Sequence, residues 1–337
     1  MMRLLIVSDA WAPQVNGVVR TLTMTAEALR RGGDEVAVFG PDRFPGLPAP
    51  GEPAVRLALL PRRRLAGMVA DFAPQAVHIA TEGPLGWAMR GLCRAQGWRF
   101  TTAFHTRFPE YLRLRFGVPA AFSWGVLRRF HAAAAGTFVA TDALRDELAA
   151  QGFGQLRRWS RGVDTALFRP GLPDAFPGLP RPIFLQAGRL ATEKGVDRFL
   201  ALDLPGSKVV VGDGPARAAL QRRHPEAHFT GFLRGEALAA AYASADVFVF
   251  PSRTDTFGLV LLEALACGTP IAAHPQPGPL TVMAGAEAPV GALDEDLRAA
   301  CLRALAVSRA ACRAQAERFS WPACAAQFRA QLVPLRD

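Results

Sequence analysis

The segment from Pro251 to Ala264 sets two carboxylates, Asp255 and Glu263, eight positions apart, with Gly258 where a helix should open and an apolar run on each side. Eight residues of helix rise about 12 Å. Paired acids acting on one glycosidic bond work at roughly 5–9.5 Å, so this spacing is too long for that chemistry. It suits a grip on sugar hydroxyls at one end and on ribose hydroxyls at the other. Between the acids, the N–H groups of Gly258, Leu259 and Val260 would open the helix toward an anion, with Phe257 beside them. The competing reading is a buried Glu paired with an Arg, and an Asp capping the helix.

Two cations lie upstream. A strand-like stretch at 183–187 runs into Gly188-Arg189, and Lys194 follows near the next helix start. Such a pair, with helix-terminal N–H groups, suits a pyrophosphate. The chain holds only two lysines, Lys194 and Lys208, so a compact point charge at 194 stands out against the arginine background. Gly212-Asp213-Gly214-Pro215 forms a tight βα turn that should border the same site. Together these residues describe a place for a nucleotide diphosphate carrying a sugar. Gly17 follows the first strand, where a glycine lets backbone approach a phosphate or simply makes a turn, and no G-x-G-x-x-G accompanies it. His105 ends a strand; it could bind donor sugar or acceptor, relay a proton, or sit hydrogen-bonded in the core. Glu82 is a similar strand-end acid. Asp294-Glu295-Asp296 has the Asp-x-Asp form of a metal site but precedes a helical stretch, so an acidic helix N-terminus explains it better.

The elements that must carry these groups form two series. Apolar runs at 4–7, 36–39, 76–79, 100–104 and 137–140 read as strands, with helical spacing at 21–31, 85–96 and 120–134. A second series has strands at 183–187, 208–211, 228–230, 247–250 and 270–273, and helices at 196–201, 216–224, 235–243 and 259–267. Near-continuous apolar strands alternating with helices indicate parallel sheets covered on both faces. Five prolines and two glycines between 169 and 182 exclude a helix or central strand and suggest an interdomain linker. The expected division is therefore 1–169, a linker at 170–182, 183–318, and a C-terminal helix within 319–337. Two doubly wound domains would bring the carboxyl ends of their strands around one cleft.

Composition narrows the function classes. The chain has 337 residues, half of them apolar, which suits two real cores. No run of about 20 uncharged apolar residues occurs. Five scattered cysteines match neither a disulfide framework nor a zinc spacing, so a reducing, cytoplasmic setting is expected, with no metal. The net charge of +10 is uneven: residues 1–170 carry 22 Arg against 13 acids (+9), leaving 17 Lys plus Arg against 16 acids (+1) beyond. An anionic partner for the N-terminal half follows. The stretch from Phe108 to Arg129 interleaves Tyr111, Leu112, Leu114, Phe116, Phe122 and Trp124 with Arg113, Arg115, Arg128 and Arg129, and Arg62-Arg63-Arg64 adds charge. That mixture suits the inner, anionic face of a membrane, against the alternative of core packing with solvated arginines. No nucleic-acid-binding module is recognisable.

Over nearly its whole length the chain resembles a retaining GT-B glycosyltransferase of family 4. The resemblance is to the branch with GDP-mannose-dependent α-mannosyltransferases and sulfoquinovosyl- or glucuronosyl-diacylglycerol synthases. It rests on Pro13-Gln14-Val15-Asn16-Gly17-Val18, Phe104-His105-Thr106-Arg107-Phe108-Pro109-Glu110-Tyr111, Arg161-Gly162-Val163-Asp164, Gly188-Arg189 with Lys194, Gly212-Asp213-Gly214-Pro215 and the 251–270 segment. It implies an α/β fold of two Rossmann-like domains facing a cleft, with the nucleotide sugar held mostly by the second. Arg189 and Lys194 match the diphosphate-binding pair, and Glu263 the ribose-binding Glu of an E-x7-E motif. Asp255 replaces the first Glu, which contacts donor-sugar hydroxyls, keeping the charge but shortening the reach. His105 matches a histidine near the reacting sugar, Gly17 a backbone contact to phosphate, and Asp9 a position on the acceptor side. The implied reaction moves a hexosyl unit from a GDP- or UDP-linked donor to a lipid or glycan hydroxyl, without cofactor or Asp-x-Asp metal. Other expectations compatible with the fold are a phosphorylase, a sugar-nucleotide epimerase, or a non-catalytic sugar-nucleotide or membrane-binding protein.

Overall fold

The computed structural model describes every residue except 15, 50–51, 60, 108, 110–116 and 337, with the backbone alone of 52–55. Two units divide the chain: Met1–Arg161 with Trp321–Asp337, and Gly162–Ser320. The first runs β1 (Arg3–Val7), α1 (Gly17–Arg31), β2 (Glu35–Phe39), a hairpin β3 (Gly46–Ala49) and β4 (Glu52–Ala58), α2 (Arg62–Phe72), β5 (Ala76–Ile79), α3 (Pro84–Ala95), β6 (Thr101–Ala103), α4 (Ala120–His131), β7 (Gly136–Val139), α5 (Asp142–Ala150) and β8 (Leu156–Arg158). Its main sheet is parallel, in the order β2-β1-β5-β6-β7-β8. Leu4, Leu5, Ile6 and Val7 are all fully buried because helices cover both faces, which is why the strand reads as one apolar run. One core joins Leu5, Val7, Val77 and Ile79 to Leu65 and Val69 of α2 and Leu85 and Met89 of α3. Phe104 and Val139 pack with Trp124 and Leu127 of α4 and with Leu144 and Leu148 of α5.

The second unit runs β9 (Ile183–Ala187), α6 (Val196–Leu200), β10 (Ser207–Val211), α7 (Arg217–Arg223), β11 (His228–Gly231), α8 (Gly235–Ser244), β12 (Val247–Phe250), α9 (Leu259–Ala266), β13 (Ile271–Ala273), α10 (Pro277–Met283), β14 (Gly291–Leu293), α11 (Leu297–Ala304) and α12 (Arg309–Glu317). Its parallel sheet follows the order β11-β10-β9-β12-β13-β14. This is the doubly wound order, and it reverses between β9 and β12, so ligands belong beyond the carboxyl ends of those two strands. Phe184, Val210, Val247 and Val249 form its core with Phe199 and Leu200 of α6 and Ala300 and Cys301 of α11.

The chain then returns as α13 (Trp321–Gln331), which belongs to the first unit and packs along α1. Phe328 sits 4.8 Å from the His78 ring, 5.4 Å from Phe138 and 4.8 Å from Trp159. Arg329 Nε donates to Asp34 Oδ2 at 2.6 Å.

The division falls at 161/162, ahead of the expected 169, and the Pro-rich stretch is part of the second unit rather than a linker. Proline forbids regular structure there but not burial. Phe176 is 5% exposed, Ala175 N–H donates to Ser244 Oγ at 2.8 Å, and Arg181 pairs with Asp246 at 3.0 Å. The β3–β4 hairpin and the edge strands β8 and β14 were not expected from the sequence. The two edge strands have three residues each, too few to show a period.

Candidate active site

Residues singled out by chemistry gather at the reversal point of the second unit. β9 ends in Gly188-Arg189 and a short 3-10 turn, Thr192–Lys194, follows; β12 ends in the loop that carries Asp255. These two loops meet: Lys194 Nζ donates to Asp255 Oδ1 at 2.5 Å, with both side chains about a quarter exposed. Asp255 Oδ2 is buried and accepts no hydrogen bond from any described residue. Arg189 is ion-paired to Glu193, four positions on in the same loop. Both cations therefore stand against a carboxylate.

Gly258 takes φ +86° and opens α9, where a Cβ would lie 3.0 Å from the Phe250 ring. Among the described residues no side chain caps this helix start, whose first N–H groups, those of Leu259 and Val260, have no partner within the helix. One turn further, Glu263 is 4% exposed and its Oε2 accepts the Tyr242 hydroxyl at 3.0 Å. Phe257 is buried at the same loop end. Gly188 and the 212–215 turn are bound together: Gly188 N–H donates to Val211 O at 3.0 Å and Leu190 N–H to Asp213 O at 2.9 Å. At Gly212, with φ +136°, a Cβ would meet the Gly188 carbonyl oxygen at 2.0 Å, so no larger residue fits. Gly214 lies in the same turn, its N–H bonded to Asp213 Oδ1.

The Asp294–Asp296 triplet is committed elsewhere. Asp296 caps α11 at Arg298 N–H (2.9 Å), Asp294 pairs with Arg303 at 2.7 Å, and Glu295 pairs with Arg253 at 2.7 Å. Backbone donation from Asp296 and the Arg303 guanidinium hold the Asp294 carboxyl below its ordinary value.

In the first unit, His105 is partly buried at the end of β6, its ring 5.7 Å from Trp159. Burial first, and then the Arg161 charge, push its pKa well below the ordinary histidine value. Gly17 is the exposed first residue of α1, whose Val18 and Val19 N–H groups are capped by Asn16 Oδ1 at 3.0 Å. Asp9 and Glu82, expected on the acceptor side, are engaged inside the fold. Asp9 caps α3, accepting from Leu85 N–H (2.8 Å), Gly86 N–H (3.2 Å) and the Thr81 hydroxyl (2.9 Å); burial nevertheless raises its pKa. Glu82 meets His131 Nε2 at 3.1 Å, and His131 Nδ1 meets Thr102 Oγ at 2.9 Å. Their oxygens engage a helix start and a helix histidine. The sequence does not pair Tyr242 with Glu263 or Arg161 with His105; Glu193, at i+4 from Arg189, carries a local signal.

The fold defines a GT-B protein. The chain superposes on sucrose-phosphate synthase from Thermosynechococcus elongatus with a TM-score of 0.77 at 22% identity, covering 97% of this chain and 98% of that one. It superposes on Anabaena Alr3699/HepE, solved in complex with UDP and glucose, with a TM-score of 0.71 at 15% identity, covering 98% and 99%. Residues 15–167 match the model for Glycosyltransferase Family 4 and residues 181–306 that for Glycosyl transferases group 1. A GDP-mannose-dependent alpha-mannosyltransferase of Mycolicibacterium smegmatis is 36% identical over 84% of this chain and 82% of its own length. The sulfoquinovosyl transferase SQD2 of Arabidopsis thaliana is 32% identical over 73% of this chain and 54% of its own length. The chain belongs to glycosyltransferase family 4 and is a glycosyltransferase.

Proposed function

We propose that this enzyme transfers a hexosyl unit, mannose or a glucose-type sugar, from a GDP- or UDP-linked donor to a lipid or glycan hydroxyl with retention of configuration. The observation that carries the reading is the meeting of Lys194 and Asp255 where the strand order reverses. Arg189, Lys194 and the start of α9 receive the diphosphate, which displaces Glu193 and Asp255 from the cations. Glu263 takes the ribose hydroxyls, and Asp255 Oδ2 accepts from the sugar. Gly17 offers its backbone to phosphate, and His105 contacts the transferred sugar. In the reaction, the bond from the anomeric carbon to the diphosphate breaks as the acceptor oxygen attacks the same face. The acceptor proton passes to the departing phosphate oxygen, and the cations stabilise the charge that develops there. The reaction uses no resident cofactor and no metal held by Asp294 or Asp296.

An anionic membrane surface is the proposed source of the acceptor, with the enzyme on the cytoplasmic side. Arg62, Arg63 and Arg64 are exposed at the start of α2. On α4, Phe122 (69% exposed) and Val126 (37%) share a face with exposed Arg129. Tyr111, Leu112, Arg113, Leu114, Arg115 and Phe116 lie outside the described residues. Among the described residues no helix is long and apolar enough to cross a membrane.

The test is a panel of UDP- and GDP-sugars incubated with lipid extract. Nucleoside diphosphate is released only when acceptor is present; release without acceptor, or donor binding without turnover, excludes a transferase. Lys194→Ala loses turnover by about a hundred-fold or more, as for removal of one oxyanion donor, Glu263→Ala loses turnover with the ribose grip, and both keep the circular dichroism of the parent. Parental rates in both would exclude the site.

A further inference from the structure

Arg161 is 4% exposed and has no carboxylate partner among the described residues. Its Nη1 donates to the Trp159 and Ser160 carbonyl oxygens at 2.8 and 2.9 Å, and its guanidinium lies 4.4 Å from the Trp159 ring centre. The remaining Nη2 points at His105 Nδ1, 3.4 Å away. An arginine has donors only, so the nitrogen facing it must be an acceptor.

We infer that Arg161 is a positioning residue that locks His105 as the neutral tautomer with its proton on Nε2, so that the site histidine serves as a hydrogen-bond donor and not as a proton relay. Two features of the surroundings support the lock. Protonating Nδ1 would set an imidazolium against a buried guanidinium 3.4 Å away, and in a poorly solvated setting like charges are costly. Among the described residues, His78, from β5, and His131, from α4, also weigh on His105, and both can only add positive charge. Glu82 is taken up by His131 Nε2. Packing of His105 and Arg161 on the same indole fixes the ring plane as well as the proton.

The inference rests on His105 being a site residue, but its first test does not. Full-length enzyme labelled with 15N-histidine is titrated from pH 8 to the acid limit of the fold, with His105 assigned by its loss in His105→Gln. The expected spectrum shows Nδ1 in the unprotonated range and Nε2 protonated at every pH. A proton on Nδ1, or conversion to imidazolium near the ordinary pKa of about 6.5, overturns the lock. Arg161→Lys, still a donor-only cation, retains the tautomer. Arg161→Met frees it: the His105 titration moves upward by about one unit or more, and kcat acquires an acid limb that the parent lacks. A folded Arg161→Met with an unchanged spectrum also overturns the lock, and if that variant does not fold the parental and Arg161→Lys titrations decide. If the lock holds but His105→Gln turns over at the parental rate, the site reading fails and the tautomer assignment stands.

Discussion

Tyr242→Phe separates the grip on the donor from the stability of the fold. The Tyr242 ring is fully buried, with Phe248 at 5.4 Å and Phe168 at 6.0 Å, and the substitution leaves those contacts in place. Only the hydroxyl that donates to Glu263 Oε2 at 3.0 Å is lost. A hydrogen bond to a charged group contributes roughly 1.5–3 kcal/mol, and no cavity term adds to it. At about 2–4 °C per kcal/mol for a unit of this size, the melting transition of the second unit falls by roughly 3–12 °C. Glu263 is also left less firmly oriented. If about 1 kcal/mol of that orientation is expressed in the ribose contact, donor KM rises about five-fold while kcat stays within about two-fold. Differential scanning calorimetry reads the first quantity and initial rates against donor concentration read the second. A lowered Tm with unchanged donor KM would remove Glu263 from the ribose site. An unchanged Tm would show that the hydrogen bond contributes nothing.

Two further outcomes follow from geometry already described. His78 is fully buried, and burial, followed by the Arg161 charge, lowers its pKa to about 3. The unfolded chain takes up that proton near pH 6.5 and the folded one does not, so stability is complete above pH 6.5 and falls below it by about 1.4 kcal/mol per pH unit per such histidine. Urea midpoints measured from pH 7.5 to 5 should show this slope, flattened by about one proton in His78→Leu; an unchanged profile refutes the assignment. Gly212→Ala forces a Cβ toward the Gly188 carbonyl in a conformation that costs about 1–3 kcal/mol by itself, so Tm drops and donor turnover falls together, with parental values in both refuting the close approach.

Most sheet strands are legible because they are short, apolar and bounded by turn residues; the observed bounds of β9 and β12 are those expected. The helix at 259–266 was legible from Gly258 and the apolar repeat behind it. Long-range pairing was not. Lys194 and Asp255 are 61 positions apart, and only the sheet order brings their loops together. Asp9 and Glu82 look like exposed strand-end acids in one dimension. Whether such an acid faces outward or turns back to a helix start or a histidine is decided by the loop that follows, which periodicity does not encode. The unit boundary at Arg161/Gly162 is not legible in the sequence for a related reason. Proline and glycine report backbone freedom, whereas a boundary depends on which contacts cross it, and Arg161-Gly162 has no compositional mark.

The last helix carries a consequence for how the protein is made. Phe328 completes the aromatic cluster of His78, Phe138 and Trp159, and Arg329 reaches back 295 positions to Asp34. On the ribosome, residues 162–320 must be translated before that helix exists, a wait of roughly 8–30 s at about 5–20 residues per second. The first half of the nascent chain therefore emerges early but matures late, its aromatic pocket open to chaperones, while the half made second can finish first.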